Sequence, residues 1–156
     1  MPNDLYERDI LSWSEHQADL LRHLARGATV DDVDWEHVVE EIENVGLSEL
    51  NAVRRYLRLM LVHSLKLQGW PDNPAAGRWR RETVSFQSDA VQRFVPSMRQ
   101  RVDLAALYAR ARNELQDTRL DELSPRPWPA ARPVDLDGLL NEDRGSLEER
   151  FGALPS

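Results

Sequence analysis

The sequence predicts an all-α fold: a bundle of four to five main helices with a Pro-rich strap and a short C-terminal helix. Three observations predict it. Apolar residues recur every three or four positions through most of the chain, glycines and prolines punctuate those stretches, and no two segments alternate as paired strands would. With 156 residues, 41% hydrophobic and 30% charged, the chain fits one ordinary soluble domain long enough to bury a core.

The first helix is carried by Tyr6, Ile10, Trp13, Gln17, Leu20 and Leu24, with Asn3 or Asp4 as N-cap and Gly27 as terminator. After a short turn from Ala28 to Val33, Asp34 caps a second helix whose apolar side is Trp35, Val38, Val39, Ile42 and Val45, closing at Gly46. Ser48 caps a third helix with Leu50, Val53, Leu57, Met60, Leu61, Ser64 and Leu65 on its main stripe. Leu59, Val62 and Leu67 lie elsewhere around its circumference, as in a central helix. The second and third helices are then a short-linked antiparallel pair, which offers Glu40 and Glu41 to Arg54, Arg55 or Arg58.

Gly69, Pro71, Asn73, Pro74 and Gly77 mark a long internal loop. A fourth helix follows with Trp79, Thr83, Phe86, Ala90 and Phe94 on one stripe, and Pro96 stops or kinks it. A fifth runs through Met98, Val102, Ala105, Tyr108, Arg112 and Leu115. Ser124 to Pro133 holds four prolines in ten positions and reads as an extended strap pinned by Trp128. Asp135 caps a last short helix with Leu136, Leu139 and Leu140. Residues 1–142 are expected as a single helical domain, with 143–156 a mobile polar tail.

The absence of cysteine excludes disulfides, thiolate nucleophiles and thiolate metal sites, and suits a reducing cytoplasm. The N-terminus lacks a basic region followed by an apolar stretch, and no apolar run approaches the length of a membrane span. A cytoplasmic protein without a membrane partner is expected. The net charge of −7 is unevenly spread: residues 1–49 carry −10, residues 50–112 carry +8 and residues 113–156 carry −5. A basic centre could be a nucleic-acid footprint. Overall acidity opposes that approach, so nucleic acid is disfavoured as a partner, and the central arginines are expected to pair with the acidic first third.

The candidate chemistry is a polar site of Glu41, Glu43, His63, Lys66 and Tyr108. His63 and Lys66, the one lysine of the chain, are three residues apart and share a helix face. If that helix is central, both must be paired with carboxylates or shift their pKa values. Glu41 and Glu43 sit on opposite shoulders of the second helix, where the plainer reading is a solvated acidic flank. His37 with Glu40 or Glu41 has ligand-like spacing, but only one such pair exists and bundle di-metal sites need two, so neither metal nor cofactor is expected. Ser48, Ser64, Ser85 and Ser97 carry no nucleophile signature, and phosphate-loop, dinucleotide and zinc-protease motifs are absent. The candidate interaction surface is Trp70 with Arg78, Trp79, Arg80 and Arg81. Trp79 also reads as the first core anchor of its helix, and Trp70 either locks the loop to the bundle or presents a binding surface.

Together, Tyr6 to Trp13, Leu20-Leu21-Arg22, Asp34-Trp35, the block Glu40-Glu41-Ile42-Glu43 followed by Gly46, then His63, Lys66, Trp79 and Pro96-Ser97, resemble a bacterial domain-of-unknown-function family, DUF family 29, over about residues 4–142. Ser64, Leu67 and Phe94-Val95 depart from the family pattern. The resemblance implies a small, largely helical protein and brings no mechanism. The function expected is a helical protein-interaction or regulatory module, acting on a protein partner or by self-association. An enzyme or small-ligand binder using the Glu/His/Lys pocket, and nucleic-acid binding through the arginines, are the alternatives.

Overall fold

Asp9 divides the first expected helix. In the computed structural model, which describes residues 2–152, α1 spans Pro2–Arg8 and α2 spans Ile10–Ala25. The Asp9 side chain accepts from the Ser12 backbone N–H at 3.0 Å, so a local cap displaces the helical path although the apolar period continues across it. Asp4 lies in the first turn of α1, and the side chain of Asn3 lies outside the described residues. Gly27 closes α2 as expected. Its φ of +86° is the left-handed value a C-terminal turn requires, and Gly27 and Ala28 donate back to Leu24 and His23.

The expected second and third helices are one. α3 runs unbroken for 35 residues, Trp35–Gly69. Gly46 and Ser48, read as stop and start, both lie inside it. A mid-helix glycine costs only about 1 kcal/mol, too little to end a helix held elsewhere by packing. No antiparallel hairpin therefore exists to bring Glu40 and Glu41 to Arg54, Arg55 or Arg58.

The chain divides into two compact units, Met1–Ser48 and Glu49–Ser156. In the first, α1, α2 and the start of α3 enclose Trp13, Gln17 and Val38, which are buried. In the second, the remainder of α3 is central, as its all-round apolar sequence predicts: Val53, Leu57, Met60, Leu61 and Leu65 are fully buried. Around it lie α4 (Ala76–Arg93), a 3-10 turn (Pro96–Arg101), α5 (Leu104–Leu115), α6 (Leu136–Asn141) and α7 (Arg144–Gly152). Pro96 forces Val95 into extended backbone just past the end of α4, where Phe94 is extended too. Trp128 pins the strap by donating its indole N–H to the Leu65 carbonyl at 2.8 Å. Asp135 caps α6 by accepting from Gly138 at 2.7 Å.

Part of the expected polar tail is structured. α7 buries Leu147 and Phe151 among the core residues of the second unit. Two apolar residues four apart suffice, because they fall on one helix face. Residues 153–156 lie outside the described residues.

The fold is all-α, with α2, α3, α4 and α5 its main helices. Among the described residues there is no strand, only an isolated bridge between Leu120 and Leu123. No helix there is long and apolar enough to cross a membrane.

Candidate functional site

The five residues of the expected polar site do not share one set of contacts. Glu41 lies in the first unit, where it accepts the Tyr6 hydroxyl proton at 2.5 Å. Glu43 is exposed on α3. His63, Lys66 and Tyr108 belong to the second unit, and Tyr108 donates its buried hydroxyl to the Pro129 carbonyl at 2.7 Å. It serves to hold the strap, and burial raises its pKa.

The carboxylate that meets His63 is Glu82 of α4. The imidazole is buried, its Nε2 lies 2.5 Å from Glu82 Oε2, and its ring stands edge-on to Phe86. Burial pushes His63 below the ordinary histidine range; Glu82 opposes that shift, and the Lys66 ammonium adds to it. The His63 N–H holds Glu82 below the usual carboxylate range, against the carboxylate's own burial. Burial favours a neutral imidazole, whose Nε2–H can donate to an ionised Glu82. Glu82 also takes Arg78 at 3.7 Å, and Lys66 lies 5.6 Å from the Trp79 ring centroid in a cation–π contact. Lys66 is thus the expected neighbour of His63, but both groups are committed to α4.

The first unit holds a second polar cluster. Asp34 accepts from the Trp13 indole at 3.1 Å and lies 2.7 Å from His37 Nδ1, while its own backbone N–H donates to the buried Gln17 at 2.8 Å. The bond to Asp34 raises His37 above its ordinary range, against the effect of burial. Burial works to raise Asp34, but His37 and Trp13 together hold it below the usual carboxylate range. Tyr6 stacks on the His37 ring at 3.9 Å between centroids, and its bond to Glu41 pushes its pKa up to about 12. An aspartate that orients a histidine supplies two of the three members of a nucleophilic triad. Here the other contacts are Tyr6 and Trp13, so the arrangement clamps the start of α3 to α1 and α2. Among the described residues, no group of three or more His, Asp or Glu is placed to hold a metal ion.

The expected interaction surface around Trp70 and Trp79 is not a surface. Both indoles are buried, and Trp70 donates to the Leu123 carbonyl at 2.9 Å, which locks the loop to the rest of the unit. A large apolar ring next to Gly and Pro gains more from that burial than from exposure. Arg80 pairs with Glu148 at 2.7 Å, and Arg78 and Arg81 stay exposed. Three more central arginines pair with carboxylates, two of them outside the acidic first third: Arg58 with Glu114 and Arg99 with Asp137, while Arg93 pairs with Glu49. All four carboxylates that pair with Arg58, Arg80, Arg93 and Arg99 belong to the same compact unit as these arginines.

The free surface lies on α3 instead. Of the five residues read as the apolar side of the second helix, only Val38 is buried. Trp35, Val39, Ile42 and Val45 are 57%, 51%, 67% and 69% exposed. The i, i+4, i+7 spacing of Trp35, Val39 and Ile42 makes one continuous stripe, which Gly46 extends without a side chain. Exposed Glu36, Glu40 and Glu43 all lie along one side of it.

Comparison with known proteins agrees with the helical fold. A crystal structure of an alpha-helical protein of unknown function from Rhodospirillum rubrum is 30% identical, with a TM-score of 0.68, over 95% of this chain and 98% of that one. No curated protein matches. The family described as domain of unknown function DUF29 matches residues 5–144, and the chain belongs to that family.

Proposed function

We propose that the protein is a cytoplasmic bacterial interaction module whose working surface is the Trp35, Val39 and Ile42 stripe of α3, and that it binds an amphipathic helix with Lys or Arg along a flank. The observation that carries this reading is the exposure of the stripe: four large apolar side chains of one helix stand in water beside a well-packed Val38. Contiguous exposed apolar surface of this kind marks a contact surface. A stripe one side chain wide at helical spacing is the seam of a helix pair.

Charge selects the partner. Residues 27–53 contain no Lys or Arg, and Glu36, Glu40 and Glu43 lie along one side of the stripe. Two copies meeting here in antiparallel would set acidic shoulder against acidic shoulder, and anionic lipid or nucleic acid would be repelled by the same acids. A helix with an apolar seam and a basic flank satisfies both the stripe and its acidic shoulder.

Trp35 is itself the probe, as the one large exposed aromatic on the stripe. Titration with a synthetic helix of Leu seam and Lys/Arg flanks should shift its emission to the blue and saturate. A peptide with the same seam and Glu flanks should not. Equal response to both peptides, or to neither, overturns the reading.

A further inference from the structure

We propose that a cavity between the α3–α4 loop and the Leu120–Leu123 turn is a binding site for a small ammonium ligand with a compact apolar body. The cavity has a volume of about 320 Å³. That is the size of a small-molecule pocket. It is independent of the α3 stripe, so the failure of one reading leaves the other standing.

The cavity is built from both sides. Leu120 and Leu123 exchange two backbone hydrogen bonds of 3.0 Å, closing a two-residue turn whose central residues, Asp121 and Glu122, have φ of +51° and +64°. Both positions are left-handed, where Asn-Gly is the usual choice, yet both carry a Cβ. The turn persists because the loop grips it. The Trp70 indole donates to the Leu123 carbonyl at 2.9 Å, and the Asn73 amide donates to Asp121 at 3.2 Å. Strap and loop meet closely at Gly69, where a Cβ would lie 3.0 Å from that of Pro125. Strained backbone held by its neighbours beside a cavity is characteristic of a ligand clamp.

The lining sets the ligand chemistry. Trp70, Pro71, Pro74 and Leu123 supply apolar walls. Asp72 at the rim is neutralised by Arg126 at 3.2 Å. Asp121 is held by a neutral amide, and among the described residues no Lys or Arg lies within ion-pair distance of it. The unbalanced charge is therefore one carboxylate beside apolar walls, which attracts a cation and repels an anion. One ammonium with a body small enough for the cavity meets both demands.

The test uses three probes of one shape on the intact protein: 2-phenylethylamine, 2-phenylethanol and 3-phenylpropionate, followed by ¹⁵N–¹H NMR. The amine should shift the Trp70 indole N–H and the Leu123 amide saturably. The alcohol should bind about fivefold more weakly, as expected for loss of one exposed charge pair, and the carboxylate not at all. Asp121→Asn keeps a side chain that tolerates left-handed backbone, and should abolish the preference for amine over alcohol. No saturable shift with the amine on the wild-type protein, equal binding of all three probes, or a preference that survives Asp121→Asn would overturn the proposal.

Discussion

The His63 imidazole of α3 meets the Glu82 carboxylate of α4 at 2.5 Å, inside a surface that leaves His63 only 7% exposed. Burial makes the neutral form of the ring the stable one. In the NMR titration, the His63 midpoint should lie below its unperturbed 6.5. Lys66→Met should raise it, by removing a repulsive cation, and Glu82→Gln should lower it further. The folded state then binds fewer protons than the unfolded chain just below pH 6.5. The contribution to stability is complete above that value and falls as the pH drops toward the folded pKa. Denaturation followed at the Trp79 indole should show the second unit weakening on mild acidification.

His37 has the opposite sign. Its bond to Asp34 raises its pKa, so the stabilisation is complete below the unperturbed 6.5 and is lost as pH rises through the folded value. Denaturation followed at the Trp13 indole should show the first unit weakening toward alkaline pH. Asp34→Asn should return the His37 midpoint toward 6.5 and flatten that dependence. The same pH trend in both units would contradict these assignments.

Phe151 should behave as a core residue despite its place near the C-terminus, since it is fully buried beside Tyr108, with 6.5 Å between ring centroids. Phe151→Ala should destabilise by about 3–5 kcal/mol. A change within about 0.5 kcal/mol in chemical denaturation, the usual range for surface positions, would show that α7 does not pack as described.

On α3, neighbouring apolar residues should respond differently. Val38→Ala should cost about 1–2 kcal/mol, from lost burial and the cavity left behind. Ile42→Ser should stay within about 0.5 kcal/mol, because the side chain is already in water. A comparable cost at Ile42 would mean that the stripe is covered within the isolated chain.

Much of the fold is legible in local chemistry. Gly27, Pro96, Trp128 and Asp135 act as their residue types require, because each effect is set within a turn or two or by one strong preference. The misread boundaries, Asp9 and Gly46, are places where small local terms compete. A capping bond wins at Asp9, and packing of the rest of the helix overrides the glycine at Gly46. The site was less legible. Periodicity identifies the apolar face at Trp35, Val39 and Ile42, but cannot tell whether another element covers it. The His63-x-x-Lys66 spacing correctly marks two polar groups on one face of a central helix. Their partners, Glu82 and Trp79, come from α4 through long-range packing that carries no local signal. Only the buried, pair-demanding character of His63 indicates that such a carboxylate must exist.

The α3 stripe is the surface on which a partner would sit. The direct measurement is photo-crosslinking in cells from a benzophenone amino acid at Ile42, with Val91, 48% exposed on α4, as the control position. The predicted result is an adduct at position 42 but not 91, lost on Val39→Glu, whose cross-linked peptide is a helix with an apolar seam and a basic flank. Adducts of equal yield at both positions, adducts only with a second copy of this chain, or a cross-linked peptide without that pattern would contradict it.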